Sequence, residues 1–343
     1  PYAYVNRAII HLEMDRPDDA LEDLDQAIRL RPDFSPALFH RANVLLDRGQ
    51  SGRAKQDLDR AIELNDDFAE AYFARAHVHL ADGKHDEAIA DFTRLIQLCP
   101  SLSSAYSGRG NVWIQKGEQD KALDDYQEAI DLDPDSAASY LLQRLVVEAA
   151  YHHQQEKYEA AISKAREALE LEPECAPAYA VRACAYWYSE QFVEAVDDYT
   201  LLLEMKGDSF TAYSGRGQVY VELGEYDKAI EDLDRALECG EATETRTSLA
   251  YALSGRALAF AGLEKFDRAA QDFEQSIVDC PENAWVHYNH ALTYHHLGQD
   301  DKAAICFELA LELTDPSLPP RKRQKARAFL KKNPVEPPPS AEE

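Results

Sequence analysis

The hexamer Ala-Tyr-Ser-Gly-Arg-Gly occurs twice, at 105–110 and 212–217, and its glycines around an arginine could cradle a phosphate. A phosphate loop, however, follows a strand and carries Gly-x-x-x-x-Gly-Lys-Ser/Thr, a pattern this chain lacks. Eleven histidines could hold a metal or serve a nucleophile. Yet His11, His79 and His152 stand at positions equivalent to Trp113, Tyr186, Tyr220, Phe260 and Tyr294, and His85 and His287 also replace aromatics, so they read as fillers of an aromatic slot. His287, His290, His295 and His296 form the one cluster, but their spacings scatter them over different helix faces. The six cysteines show neither a Cys-x-x-Cys pair nor a disulfide framework, which points to a reducing compartment, by default the cytoplasm. With no Gly-x-Ser-x-Gly and no His-Glu-x-x-His, the chain is expected to have no catalysis, cofactor or metal of its own.

Charge narrows the partners. The chain carries 63 Asp and Glu against 36 Lys and Arg, a net charge of −27, which repels nucleic acid and anionic membrane surfaces. No apolar run approaches the roughly 18 residues of a spanning helix. A protein partner is the remaining expectation, since 45% apolar residues suffice for a packed core.

The two hexamers lie 107 residues apart, three steps of 34 plus five, and a 34-residue period runs through the chain. Laid out in such blocks, place 8 holds Ala8, Ala42, Ala76, Gly110, Ala149, Ala183, Gly217, Ala257 and Ala291. Place 20 holds Ala20, Ala54, Ala88, Ala122, Ala161, Ala195, Ala229, Ala269 and Ala303. Glycine recurs at place 15 (Gly49, Gly83, Gly117, Gly224, Gly298) and proline at place 32 (Pro32, Pro100, Pro134, Pro173, Pro281). Apolar residues at places 4, 8, 11, 17, 20, 24, 27 and 28 have helical spacing, so each block is a helical hairpin, with glycine ending the first helix and proline following the second. The hexamers occupy places 3 to 8, inside first helices. A glycine there costs about 1 kcal/mol relative to alanine, so Gly108, Gly110, Gly215 and Gly217 are expected to make room for a neighbouring side chain.

Seven blocks place arginine at place 7 (Arg7, Arg41, Arg75, Arg109, Arg182, Arg216, Arg256) and aspartate at place 23 (Asp23, Asp57, Asp91, Asp125, Asp198, Asp232, Asp272). The two exceptions change at both places together: Glu148 with Lys164, and His290 with Cys306. Concerted change implies contact, so these arginines are expected to be structural ion pairs rather than an anion ladder.

The block resembles the tetratricopeptide repeat. Nine copies are read, at 1–34, 35–68, 69–102, 103–136, 142–175, 176–209, 210–243, 250–283 and 284–317, with extra residues 137–141 and 244–249 lengthening two connections. The resemblance implies an all-α, right-handed superhelical solenoid whose first helices line a concave groove through places 2, 5, 9, 12 and 13. Those positions carry Phe39, Asn43, Phe73, His77, Asn111, Trp187, Tyr188, Tyr251, Trp285, Tyr288, His295 and His296. Most acidic residues fall at places 22, 25, 26 and 29 of the second helices and should decorate the outer side. Family members that bind the acidic tails of heat-shock chaperones use lysines, asparagines and an arginine at places 2, 5, 6 and 9; here place 5 is Val5, Phe39, Phe73 and Ser107, so that clamp is missing.

Residues 318–332 carry seven basic and no acidic side chains, with Ala326, Phe329 and Leu330 as an apolar stripe, and read as a capping helix; 333–343 reads as a disordered tail. Pro1 opens the first block without a cap, leaving that flank for an upstream repeat or for self-association. Three functions follow from these observations: an adaptor binding a peptide or helical segment of another protein, a regulatory or targeting arm of a larger enzyme, and a self-associating architectural module.

Overall fold

The computed structural model describes residues 1–240, 244–313 and 320–334. Residues 241–243 and 314–319, at the ends of the seventh and ninth blocks and the start of the basic stretch, lie outside the described residues, as does 335–343 of the tail. All regular structure among the described residues is helical. The chain divides into two compact units, Pro1–Tyr151 and His152–Glu343.

The first unit contains four hairpins: α1 (Tyr2–Glu13) with α2 (Pro17–Leu30), α3 (Ser35–Asp47) with α4 (Ser51–Leu64), α5 (Ala69–Ala81) with α6 (His85–Leu98), and α7 (Ser103–Gln115) with α8 (Gln119–Leu132). Helix α9 (Ala137–Gln154) follows and runs past the division. The second unit continues with α10 (Tyr158–Leu171) and the hairpins α11 (Ala176–Tyr188) with α12 (Phe192–Lys206), α13 (Phe210–Leu223) with α14 (Tyr226–Gly240), α15 (Arg246–Gly262) with α16 (Phe266–Asp279) and α17 (Ala284–His296) with α18 (Asp300–Glu312). It closes with α19 (Pro320–Leu330). Within each unit, helices pack on those one or two places away in the chain, so each unit is an α-solenoid stack.

The small residues explain the hairpin. The nine alanines at place 20 and the seven at place 8 have 0% exposure, so paired helices meet backbone to backbone there. Place 24 fills the space beside them with Leu24, Leu58, Phe92, Tyr126, Tyr199, Leu233, Phe273 and Phe307, all buried. Of the hexamer glycines, Gly110 and Gly217 belong to this contact, whereas Gly108 and Gly215 face the second helix of the preceding hairpin. A Cβ on Gly108 would fall 2.6 Å from Cε1 of Phe92, one on Gly217 2.7 Å from Cγ of Leu233, and one on Gly215 would collide with the Tyr199 ring. Place 15 adopts positive φ throughout: 70–79° at the five glycines, and 55–62° at Asp15, Glu156, Glu190 and Glu264. These four side chains hold a backbone conformation that L-residues disfavour.

Most of the extra residues enter helices. Residues 137–141 form the first turn of α9, and Thr245 caps α15, its Oγ1 accepting a hydrogen bond from the Ser248 amide at 3.2 Å, so that 246–249 are helical. Neither insertion contains glycine or proline, and each extends the helix it precedes.

All seven arginines of place 7 grip the aspartate of place 23 in the same two-pronged way, Nε and Nη2 donating to the two carboxylate oxygens at 2.6–2.9 Å. A third bond reaches back one hairpin. Nη1 of Arg41 donates to Asp25, of Arg75 to Asp59, of Arg109 to Thr93, of Arg216 to Thr200 and of Arg256 to Asp234, at 2.6–3.2 Å. Where the next hairpin lacks this arginine, or place 25 is itself an arginine, another pair bridges the same junction. Arg144 Nη1 donates to Gln127 (2.8 Å), Arg166 Nη2 to the Tyr186 hydroxyl (2.8 Å), and the Tyr294 hydroxyl to Glu274 (2.6 Å). The acids at place 25 are therefore not all outward decoration; Asp25, Asp59 and Asp234 are recruited into the junctions. The side chain of Arg7 is 60% exposed, whereas the other six arginines are 17–22% exposed, covered by the hairpin before them.

Two outcomes follow. In a double-mutant cycle, Arg109→Leu and Asp125→Leu should each destabilise the first unit, with a coupling of about 1–3 kcal/mol between them; urea unfolding that returns additive losses would refute the structural role. Glu190→Gly relieves a φ of 62° and should gain about 0.5–1 kcal/mol in the same assay, whereas Gly83→Ala, at φ 71°, should lose a comparable amount.

Candidate functional site

An apolar pocket opens along the first helices of each unit. In the first unit, Phe39 and Asn43 of α3 and Glu70 and Phe73 of α5 bound a cavity of about 540 Å³ whose floor is Leu95 and Leu102. Phe39 is held by the Phe68 ring (5.0 Å between centroids) and Phe73 by Phe92 (6.1 Å), so both walls are fixed by residues outside the first helices. His77 sits beside rather than in this pocket, edge-on to Phe73 at 4.6 Å. Asn111 lies outside it, its side-chain oxygen accepting the Tyr126 hydroxyl at 2.7 Å.

In the second unit, Trp187 and Tyr188 of α11, Phe210 and Glu222 of α13, Tyr251 of α15 and Trp285 of α17 surround a cavity of about 480 Å³. Tyr188 and Tyr251 are 55% and 53% exposed, so their faces form its mouth. The Tyr188 ring stacks on Tyr158 (5.6 Å, 14°) and meets His153 edge-on, which fixes its orientation. Gln218 ties two walls together, its Nε2 donating to the Tyr251 carbonyl at 2.9 Å.

The ninth block departs from the expected surface. Tyr288 is 3% exposed, its ring against Phe307 and Lys322 above it, so it belongs to the core under α19 and not to a contact face. His295 is exposed but engaged by the Asp300 carboxylate (2.6 Å) and the Phe329 ring (5.0 Å). Helix α19 packs on α18 with Ala326 fully buried, as a cap would. His296 stacks on Phe266 at 4.8 Å, beside α16. In sum, Phe39, Asn43 and Phe73 converge in one pocket, and Trp187, Tyr188, Tyr251 and Trp285 in the other.

Sequence reasoning missed the floors. Leu95 and Tyr199 come from second helices, at places 27 and 24 assigned to hairpin packing, and Leu102 and Phe210 from places 34 and 1, to which the pattern gave no role. The available signal was Gly215, a first-helix position with no side chain opposite Tyr199.

Among the described residues no group of three or more His, Cys, Asp or Glu is arranged to hold a metal, and no helix is long and apolar enough to cross a membrane. His290 and Cys306 occupy the places of the missing ion pair, Sγ lying 3.9 Å from Nδ1. Burial against Phe273 and Tyr294 pushes the His290 imidazole down from 6.5 to about 4. This is a stable neutral pair, not a thiolate–imidazolium couple, because burial also pushes the Cys306 thiol up to about 11.

Sequence models described as tetratricopeptide repeat match residues 1–34 and 103–136, 39–103 and 255–317, and 208–277. Hsp70-Hsp90 organizing protein 3 of Arabidopsis thaliana is 31% identical over 144 residues, 41% of this chain and 25% of that protein. The Hsp70-Hsp90 organizing protein of Triticum aestivum is 30% identical over 149 residues, 43% of this chain and 25% of that protein. The matched region thus spans about a quarter of these relatives. Among solved structures, a tetratricopeptide repeat protein from Parabacteroides merdae ATCC 43184 covers 76% of this chain and 98% of its own at TM-score 0.55 and 19% identity, a likeness of fold.

The depressed His290 fixes the sign of an acid response. The unfolded chain takes up a proton below pH 6.5 that the folded chain refuses until about 4, so the stability tied to neutral His290 is complete above the higher value and lost as pH falls toward the lower. His290→Asn should lose less urea resistance than wild type between pH 7 and 4.5; parallel losses would remove His290 from the account.

Proposed function

Because the chain belongs to the tetratricopeptide repeat family, we propose that it is a non-catalytic adaptor that holds a peptide or helical segment of another protein along its first helices. One observation carries the reading: seven residues chosen for their places on first helices fall into two apolar pockets, one in each unit, large enough for bulky side chains. Anchors of this kind are aromatic or aliphatic groups seated in fixed pockets, ringed by polar positions that contribute less. The relatives named for organising Hsp70 and Hsp90 suggest chaperone partners, but Val5, Phe39, Phe73 and Ser107 at place 5 offer no cation to an acidic tail, so apolar anchoring is the better-supported mode. None of the six cysteines is joined in a disulfide, which supports work in a reducing compartment such as the cytoplasm.

A displayed library of random 16-residue peptides, selected on the intact chain, tests this. Selected peptides should bind Phe73→Ala or Trp187→Ala at least about tenfold more weakly than wild type, since each substitution empties a hot-spot wall. Circular dichroism would establish that both variants remain folded. Peptides that bind all three proteins equally would refute the assignment of the pockets.

A further inference from the structure

The two pockets differ in chemistry. The pocket of the first unit has two phenylalanines and one acid, Glu70. That of the second unit has four tyrosine or tryptophan rings at its walls and mouth, Glu222 and Glu244 among its lining groups, and no lysine or arginine among them. Indole and phenol faces carry the negative side of the ring quadrupole and attract cations, most strongly where water is partly excluded. The adjoining carboxylates add charge of the same sign.

The chain itself supplies a precedent at this wall. Nζ of Lys322 lies 5.4 Å from the ring centroids of both Trp285 and Tyr288. The Glu222 carboxylate acts on the same ammonium, opposing the burial that pushes its pKa down. An ammonium on aromatic faces next to an acid is therefore already accommodated at one edge of the pocket. Trp187, Tyr188, Tyr251 and Glu244 form the part that Lys322 does not occupy.

We propose that the pocket of the second unit is a subsite for a lysine or arginine side chain, flanked by apolar residues, in a basic segment of a protein partner. The inference rests on the adaptor reading and specifies its ligand. Charge complementarity selects the occupant. An acidic segment would meet Glu222, Glu244 and a chain of net charge −27, and a wholly apolar one would take water from the carboxylates without replacing it. A basic side chain lays its alkyl stem along the aromatic walls and carries its charge to the acids at the rim. The acidic surface also steers a basic segment inward, so its association should slow as salt rises.

Three synthetic peptides, Ac-Gly-Leu-Ser-X-Leu-Gly-amide with X as lysine, norleucine or glutamate, would be titrated into the intact chain while the fluorescence of Trp187 and Trp285 is followed. The lysine peptide should bind about fivefold tighter than the norleucine peptide and the glutamate peptide weakest. In Glu222→Gln/Glu244→Gln that preference should fall by at least half, and in Trp187→Ala all three should weaken. Norleucine binding as tightly as lysine, or an undiminished lysine preference in the double variant, would overturn the cation subsite while leaving the adaptor reading intact. Failure of all three to bind would overturn the subsite too, and the adaptor reading falls only if the displayed peptides also ignore Phe73 and Trp187.

Discussion

The fork from arginine at place 7 to aspartate at place 23 is the interaction on which the rest of the stack depends. Its two prongs clamp the helices of one hairpin, and its third donor fixes where the preceding hairpin must lie. A guanidinium left half-satisfied in so enclosed a position would be strongly unfavourable, so the geometry tolerates little sliding of one hairpin on the next. Well-packed apolar residues could match its stability, because desolvating both ions cancels much of their attraction. Apolar contacts would not fix the register in the same way. The eight junctions support this view. Where the fork is missing or its place 25 partner is an arginine, the bond from place 25 is kept by a different pair, as Gln127 with Arg144, Arg166 with Tyr186 and Glu274 with Tyr294 show.

A frame fixed by one face of the hairpin leaves the other face free to vary. The alanines at places 8 and 20 and the residues of place 24 occupy the seam within each hairpin, and five of the forks bond back to the hairpin before. Places 2, 5, 9, 12 and 13 supply neither the small seam residues nor the forks, although some lean on place 24, as Phe73 does on Phe92, Asn111 on Tyr126 and Tyr288 on Phe307. Their side chains change from copy to copy, from Phe39 and Phe73 to Ser107 at place 5 and from Leu46 to Trp187 at place 12. A periodic core with an aperiodic face is the arrangement a binding solenoid requires.

Periodicity also decided what could be read in advance. Each core place is sampled nine times, so the hairpins, the glycine turns and the paired change of Glu148 with Lys164 and His290 with Cys306 stand out from one sequence. Features that occur once do not. The helical start of α9 at Ala137 carries no repeated signal, and the capping of α15 depends on a single threonine. Tyr288 occupies a groove position in the pattern, but α19 folds over it, and that helix has no counterpart in the other copies. The third bond of the fork was hidden for another reason: an aspartate at place 25 looks like any solvated acid on a helix until the following hairpin is set beside it.

The hexamer that first suggested a phosphate loop finds its explanation in the pockets. Place 6 is glycine in both copies, and at both sites an aromatic ring from the neighbouring second helix occupies the volume a side chain would have filled: Phe92 against Gly108 and Tyr199 against Gly215. The rings then extend to the first-helix face, where Phe92 backs Phe73 and Tyr199 forms part of the cavity beneath Trp187 and Tyr188. A larger residue at either glycine would push the ring outward and reshape the cavity it supports. The sequence feature with no chemistry of its own is thus what lets the core reach the surface and give each pocket a rigid aromatic backing, and rigidity of that kind lowers the entropy cost of seating a partner's side chain.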